Sequence, residues 1–149
     1  MSICKFYDME ICQSCGWINE PYQAQISKKE EIVKESFKQF GSYKFFPTVF
    51  SIESGFRNKA KMVAIPNKNK LLLSFSNGKS SLAECPLYTK AIQNALNVIE
   101  SWLNELGIQA YDIEKRKGEL KFVLLTESKY NQELMLRFVL RGYGVISRF

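Results

Sequence analysis

The chain has 149 residues, 46% hydrophobic and 24% charged, and its 21 lysines and arginines outnumber its 15 acids for a formal net charge of +6. That length holds one domain with a real core and is too short for a catalytic domain of ordinary size plus an accessory one. The absence of histidine excludes mixed Cys/His zinc sites and imidazole acid–base chemistry within these residues, and no stretch nears the ~20 apolar residues of a membrane span.

Met1-Ser2-Ile3-Cys4-Lys5 has no basic segment followed by an apolar one, so it does not read as a secretory signal. A cytoplasmic monomer with reduced thiols and no membrane partner is expected. Residues 1–20 read as a cysteine-bearing arm and residues 21–149 as an α+β body. In the body, Ser27-Lys28-Lys29-Glu30 has the form of a capping box. The helix it opens should run to about Phe40, with Ile26, Val33, Phe37 and Phe40 on one stripe and Gly41 past its end. Tyr43, Phe45, Phe46, Phe50 and Phe56 then crowd together, more in the manner of core or lid packing than of a base-stacking platform.

Ala60 to Ile65 reads as a strand, Pro66-Asn67-Lys68-Asn69 as a turn and Leu71 to Phe75 as the returning strand. Asn77-Gly78 marks a further turn, followed by a loop carrying Cys85-Pro86. Thr89 can cap a long helix through Leu106, because Ile92, Ala95, Leu96, Ile99, Trp102, Leu103 and Leu106 keep the helical period and Gly107 ends it. The period then drops to two. Tyr111 and Ile113 mark a short strand, Lys115-Arg116-Lys117-Gly118 a basic turn, and Leu120 to Thr126 an apolar strand. Tyr130-Asn131-Gln132 turns the chain, and Glu133 to Leu140 pairs back with Leu134, Leu136, Phe138 and Leu140 on one face and Arg137 and Arg141, with Met135 and Val139, on the other. The expected fold is α+β: an antiparallel or mixed sheet of hairpins with two main helices packed to one side.

Four cysteines carry the chemistry: Cys4, Cys12, Cys15 and Cys85, the last followed by Pro86. A structural zinc site of four cysteines usually has two short-spaced pairs, and only Cys12-Gln13-Ser14-Cys15 is such a pair. Three clustered thiols and a distant one before proline suit an iron–sulfur centre better. Zinc, and thiols that are unligated or redox-active, stay open at this point. A thioredoxin-like reading is weak, because no strand precedes Cys12. Four facing thiolates would repel unless a cationic centre lay between them.

The positive charge is clustered. Arg57, Lys59, Lys61, Lys68, Lys70 and Lys79 occur without an intervening acid. An extended backbone puts Arg57, Lys59 and Lys61 on one side at ~6.6 Å intervals, close to the phosphate spacing of a nucleic-acid strand. A lysine-protected edge strand and a solvated face are the plain alternatives.

These residues also carry a resemblance. Cys12-Gln13-Ser14-Cys15-Gly16-Trp17, Gly55-Phe56-Arg57-Asn58-Lys59-Ala60-Lys61-Met62-Val63, Cys85-Pro86-Leu87-Tyr88, Lys115-Arg116-Lys117-Gly118-Glu119-Leu120-Lys121, Leu124-Leu125-Thr126-Glu127-Ser128 and Met135-Leu136-Arg137-Phe138-Val139-Leu140-Arg141 resemble, in order, the N-terminal part of bacterial 23S rRNA (uracil-C5)-methyltransferases of the RlmC (RumB) type. The resemblance implies a [4Fe–4S] cluster on Cys4, Cys12, Cys15 and Cys85. It implies 23S rRNA as partner, met by Arg57, Asn58, Lys59 and Lys61, with Lys115, Arg116, Lys117 and Lys121 as a second contact. Such enzymes take a methyl group from S-adenosylmethionine: a cysteine thiolate adds to uracil C6, C5 is methylated, and a base removes the C5 proton from a flipped-out nucleotide. Family members continue into a Rossmann-like domain that binds S-adenosylmethionine and supplies that cysteine. Here Gly142-Tyr143-Gly144 stands too near the end to open such a domain, and no fifth cysteine remains. The expectation is an N-terminal, cluster-bearing, RNA-recognising portion without the methyltransferase domain and inactive alone. A stand-alone RNA-binding module with a structural cluster, or a zinc-stabilised domain, is the alternative.

Overall fold

Alternation of side chains builds the sheet. In β1 (Lys59–Asn67), Ala60, Met62 and Ala64 are buried while Lys59 and Lys61 face out. β2 (Lys70–Ser74), β3 (Leu120–Glu127) and β4 (Leu134–Leu140) complete a four-stranded sheet in the order β2-β1-β3-β4, every neighbouring pair antiparallel. The computed structural model describes residues 3–75 and 78–142. Asn77 of the expected Asn77-Gly78 turn, and Tyr143, Gly144 and the segment after them, lie outside the described residues.

The β1–β2 hairpin is tighter than expected. Pairing runs through Pro66↔Leu71 to Asn67↔Lys70, so only Lys68 and Asn69 form the loop, with Lys68 in the left-handed region at φ 53. Pro66 is tolerated inside a strand because its partner Leu71 turns its own N–H and C=O away from β1, to the Asn104 side chain at 2.8 and 3.0 Å. The N–H that proline lacks would therefore have pointed away from β2.

α3 (Lys90–Glu105) follows the expected reading. Thr89 caps it, its hydroxyl accepting from the Ile92 N–H at 3.3 Å, and Gly107 closes it at φ 64. Ile92, Leu96, Ile99 and Leu103 form its buried stripe over β2 and β3. Met62, Leu73, Ile92, Leu96 and Leu103 are wholly buried; each such side chain contributes about 1.5–3 kcal/mol by leaving water. Polar residues of the same helix close the sheet's edge: the Glu100 carboxylate accepts from the Leu73 N–H at 2.6 Å, as Asn104 does from Leu71.

The first long helix departs from expectation. α2 (Tyr22–Phe37) begins five residues before Ser27, with Pro21 at its N-cap, and a 3₁₀ turn Lys38–Phe40 follows before Gly41 at φ 91. Ser27 is no cap. Its hydroxyl donates to the Gln23 carbonyl one turn back at 3.2 Å. The expected stripe is not core either: Ile26 is buried, but Val33, Phe37 and Phe40 are exposed. Tyr43, Phe45, Phe46, Phe50 and Phe56 are all exposed as well, Phe46 to 94%. Phe37, Tyr43 and Phe45 pack edge to face on one another, and Phe40 lies tilted against Phe37, instead of under the sheet.

The expected strand at Tyr111 and Ile113 reduces to isolated bridges, Ala110↔Leu120 and Asp112↔Lys117. The basic turn between them is present. Arg116 is left-handed at φ 51, and Gly118 at φ 95 lies so close to Ala110 that a Cβ there would meet its carbonyl oxygen at 2.1 Å. The arm is part of the same core: behind α1 (Lys5–Asp8), Cys4 and Phe6 are buried together with Leu82, Cys85 and Tyr88. No helix among the described residues is long and apolar enough to cross a membrane.

Candidate cysteine site and nucleic-acid interface

Short turns bring the sulfurs together. After α1, the Ile11 and Cys12 N–H groups both donate to the Phe6 carbonyl, at 2.9 and 3.0 Å, which folds the arm back over its own start. Ile18 N–H donates to the Cys15 carbonyl at 3.1 Å and closes the turn that holds the second sulfur of the pair. From the other end of the fold, Cys85 N–H donates to Leu82 and Tyr88 N–H to Cys85, both at 3.1 Å, while the Gln93 amide reaches the Cys85 carbonyl at 3.3 Å. Cys4, Cys12, Cys15 and Cys85 thus line one cavity of about 30 Å³, walled by Phe6, Ile18, Phe75, Leu82 and Leu87. All four are free thiols.

Arg57 is the one charged side chain in that lining. Burial pushes the Cys15 thiol up from its ordinary pKa, neighbouring Cys12 adds to this, and Arg57 opposes it. Burial likewise raises Cys85, against a hydrogen bond from the Leu87 backbone. Tyr88, buried beside Cys85, is pushed up to about 12 by desolvation first and by that cysteine second. Among the described residues no three or more His, Cys, Asp or Glu side chains are gathered tightly enough to hold a single metal ion.

The candidate RNA-facing residues separate into two groups. Arg57 pairs as a bridge with Tyr88, its N–H donating to Leu87 at 2.9 Å, so the head of the basic strand is fastened to the Cys85 turn. Lys59 and Lys61 continue outward along β1, with Lys61 Nζ 4.8 Å from the Phe122 ring centre. Asn58 is half-buried, and its amide donates to the Glu127 carbonyl at 3.0 Å while its own carbonyl accepts from Glu127 N–H at 2.8 Å. It ties β1 to β3. Lys121 reaches the same open face through a bulge: Leu120 pairs with Leu140 and Phe122 with Val139, so Lys121 is the extra residue and Leu120 stays buried. Lys121 lies 4.8 Å from the Tyr111 ring. Arg116 and Lys117 are exposed at the turn, where Lys115 pairs with Asp112 at 3.3 Å.

Arg137, expected on the strand face opposite Leu134 and Leu136, stands on the open face across Leu124 from Lys61, roughly 10 Å away at two strand spacings. One feature went unread in the sequence. A second cavity of about 620 Å³ lies beside the cysteine site, with Trp17, Tyr22, Lys29, Phe56 and Arg57 in its walls. The spacing of Tyr22, Gln25 and Lys29 at i, i+3 and i+7 would have placed them on one helix face, had α2 been started at Tyr22.

No family model matches the chain. The 23S rRNA (uracil(747)-C(5))-methyltransferase RlmC of Xenorhabdus nematophila is 40% identical over 142 residues, 93% of this chain and 38% of its own length. That of Vibrio cholerae is 36% identical over 148 residues, 97% of this chain and 40% of its own. The chain belongs to the RlmC-type family of 23S rRNA (uracil-C5)-methyltransferases, over the N-terminal part. RlmC of Actinobacillus succinogenes adds 38% identity over 144 residues. The chain spans about two fifths of the length of these RlmC relatives, 38–40%. Among solved structures, the Pyrococcus abyssi tRNA (uracil-54, C5)-methyltransferase in complex with S-adenosyl-L-homocysteine overlaps 64% of this chain and 25% of its own, at 25% identity and a TM-score of 0.49.

Proposed function

We propose that this chain is the iron–sulfur and rRNA-recognising portion of a 23S rRNA uracil-C5 methyltransferase, with residues 1–20 as an arm locked to the body, residues 21–149, through Cys85. The observation that carries the reading is the convergence of Cys4, Cys12, Cys15 and Cys85 on one apolar cavity with Arg57 at its rim. The donor set fits a [4Fe–4S] cluster: it is all sulfur, walled by apolar side chains, and lined by no carboxylate. The sequence spacing favours it over zinc, since only Cys12 and Cys15 form the short-spaced pair of which a four-cysteine zinc site usually has two. When bound, the cluster supplies a cationic centre for four thiolates and a crosslink between the arm and the Cys85 turn.

Arg57, Lys59 and Lys61, with Lys121, form the proposed 23S rRNA contact, and Lys115, Arg116 and Lys117 a second one. Asn58 joins that contact through its place between Arg57 and Lys59. All four cysteines are used by the cluster. The thiolate that attacks uracil and the S-adenosylmethionine site are therefore assigned to the part of RlmC that this chain does not span, and the 149 residues alone are proposed not to methylate. Replacing Arg57, Lys59 and Lys61 with alanine tests the surface. The logarithmic salt slope of 23S rRNA-fragment binding should shrink by roughly 0.7–0.9 for each phosphate no longer neutralised, and an unchanged slope would remove this strand from the interface.

A further inference from the structure

The cavity beside the cysteine site has the size and the walls of a ligand pocket. At about 620 Å³ it falls inside the roughly 300–1,000 Å³ range of small-molecule sites. Three segments meet there and each is fastened. The Gln25 amide donates to the Trp17 carbonyl at 3.0 Å, the Ser51 N–H donates to the Tyr22 hydroxyl at 2.9 Å, and Gly55 N–H donates to the Pro86 carbonyl at 2.9 Å. The walls are therefore held in place before any ligand arrives.

Two aromatic side chains in those walls are open to solvent, Trp17 at 36% and Phe56 at 37% exposure. Lys29 Nζ sits 5.7 Å from the Trp17 ring centre, and neither Lys29 nor Arg57 forms an ion pair among the described residues. Glu53 is the one acid in the lining. Aromatic faces beside unpaired cations take a flat ring that carries an anion. The pocket also stands at the head of the basic strand. Phe56 and Arg57 border it, and Lys59 and Lys61 lead away along β1 at ~6.6 Å steps. A polyanion following those cations delivers its next unit into the pocket.

We propose that this cavity receives one unpaired nucleotide of the bound RNA. The base stacks on Trp17 and Phe56, and its phosphate meets Arg57 and Lys29. This rests on the rRNA-binding function proposed above and adds a stacking site distinct from any phosphate contact.

The chain has two tryptophans. Trp102, which packs from α3 against Phe138 of β4, can be changed by Trp102→Phe so that Trp17 is the only tryptophan left to fluoresce. The full chain with this change is titrated with a short fluorescein-labelled oligouridylate, reading Trp17 emission and RNA anisotropy together. The proposal predicts that both signals change with one midpoint. It also predicts that Trp17→Leu and Phe56→Leu, read by anisotropy, each weaken binding about fivefold or more with the circular dichroism spectrum unchanged. Anisotropy that rises while Trp17 emission stays flat overturns the pocket and leaves the rRNA-binding reading standing. No anisotropy rise at all overturns both. The Trp102→Phe titration leaves the pocket walls untouched, so a misfolded pocket variant does not cloud the result.

Discussion

Cys85 joins two demands in one thiol: burial that resists ionisation and a proposed ligand role that requires it. Its pKa is raised, chiefly by desolvation. The folded, metal-free chain therefore holds this proton more tightly than the unfolded chain does. The stability this contributes is present below the ordinary thiol value of 9.0 and is lost as pH rises from there through the higher folded value. Thermal melting of the metal-free protein should accordingly fall over that alkaline window, and Cys85→Ala should flatten the fall relative to the parent chain. Metal uptake near neutral pH should release protons from Cys15 and Cys85, whose pKa values burial raises; proton release in weakly buffered solution measures it. Asn58 makes a separate prediction. Without its bond to the Glu127 carbonyl, Asn58→Ala should cost about 1 kcal/mol of stability in a denaturant melt, whereas Arg57→Ala, whose side chain makes no hydrogen bond among the described residues, should leave stability and weaken RNA binding. At this scale the cysteine set and the basic strand were legible, because unusual residue types at distinctive spacing survive without a structure. Trp17 and Lys29 were not: what marks them is a neighbour brought from elsewhere in the chain.

Among the elements, α3 is the one whose local signals and tertiary contacts agree. Thr89 both caps the helix and donates to the Glu127 carboxylate at the end of β3. Thr89→Ala should thus cost about 1 kcal/mol or somewhat more, and Leu96→Ala, from the wholly buried stripe, about 2–5 kcal/mol; chemical denaturation separates the two. Such agreement explains why this helix and the strands β1 to β4 could be read ahead of the structure. α2 could not be read correctly. Ser27 and Glu30 spell a start signal, yet Pro21 supplies an earlier one, and the serine hydroxyl turns to a backbone carbonyl inside the helix. Hydrophobicity misled in the same region: Phe46 and Phe50 carry the composition of a core, yet both are exposed, Phe50 meeting only the Tyr22 ring edge to face among the described aromatic contacts. Polar side chains of α3 did the opposite, since Asn104 and Glu100 look like solvent-facing residues in sequence and instead hold the edge of β2. Asn104→Ala should expose that edge, and light scattering on gentle heating should report earlier association than in the parent chain.

For the molecule as a whole, one core joins the arm, the Cys85 turn and the sheet, so a change at the sulfurs should be felt on the RNA-facing side. Cys4, Phe6, Cys85 and Tyr88 are buried together, and Arg57 leaves that cluster for β1. Removal of the proposed iron–sulfur cluster should loosen the head of the basic strand first, while α3 over β2 and β3 keeps its packing; hydrogen exchange of the loaded and stripped protein would resolve the two regions. The central claim is that four dispersed thiols hold one inorganic core. The most direct measurement is iron and acid-labile sulfide per chain in anaerobically purified protein, read with its visible spectrum. The account predicts four of each, in line with one thiolate per iron, and a broad visible absorbance that Cys85→Ala abolishes. A colourless protein carrying stoichiometric zinc, or no metal at all, would contradict it.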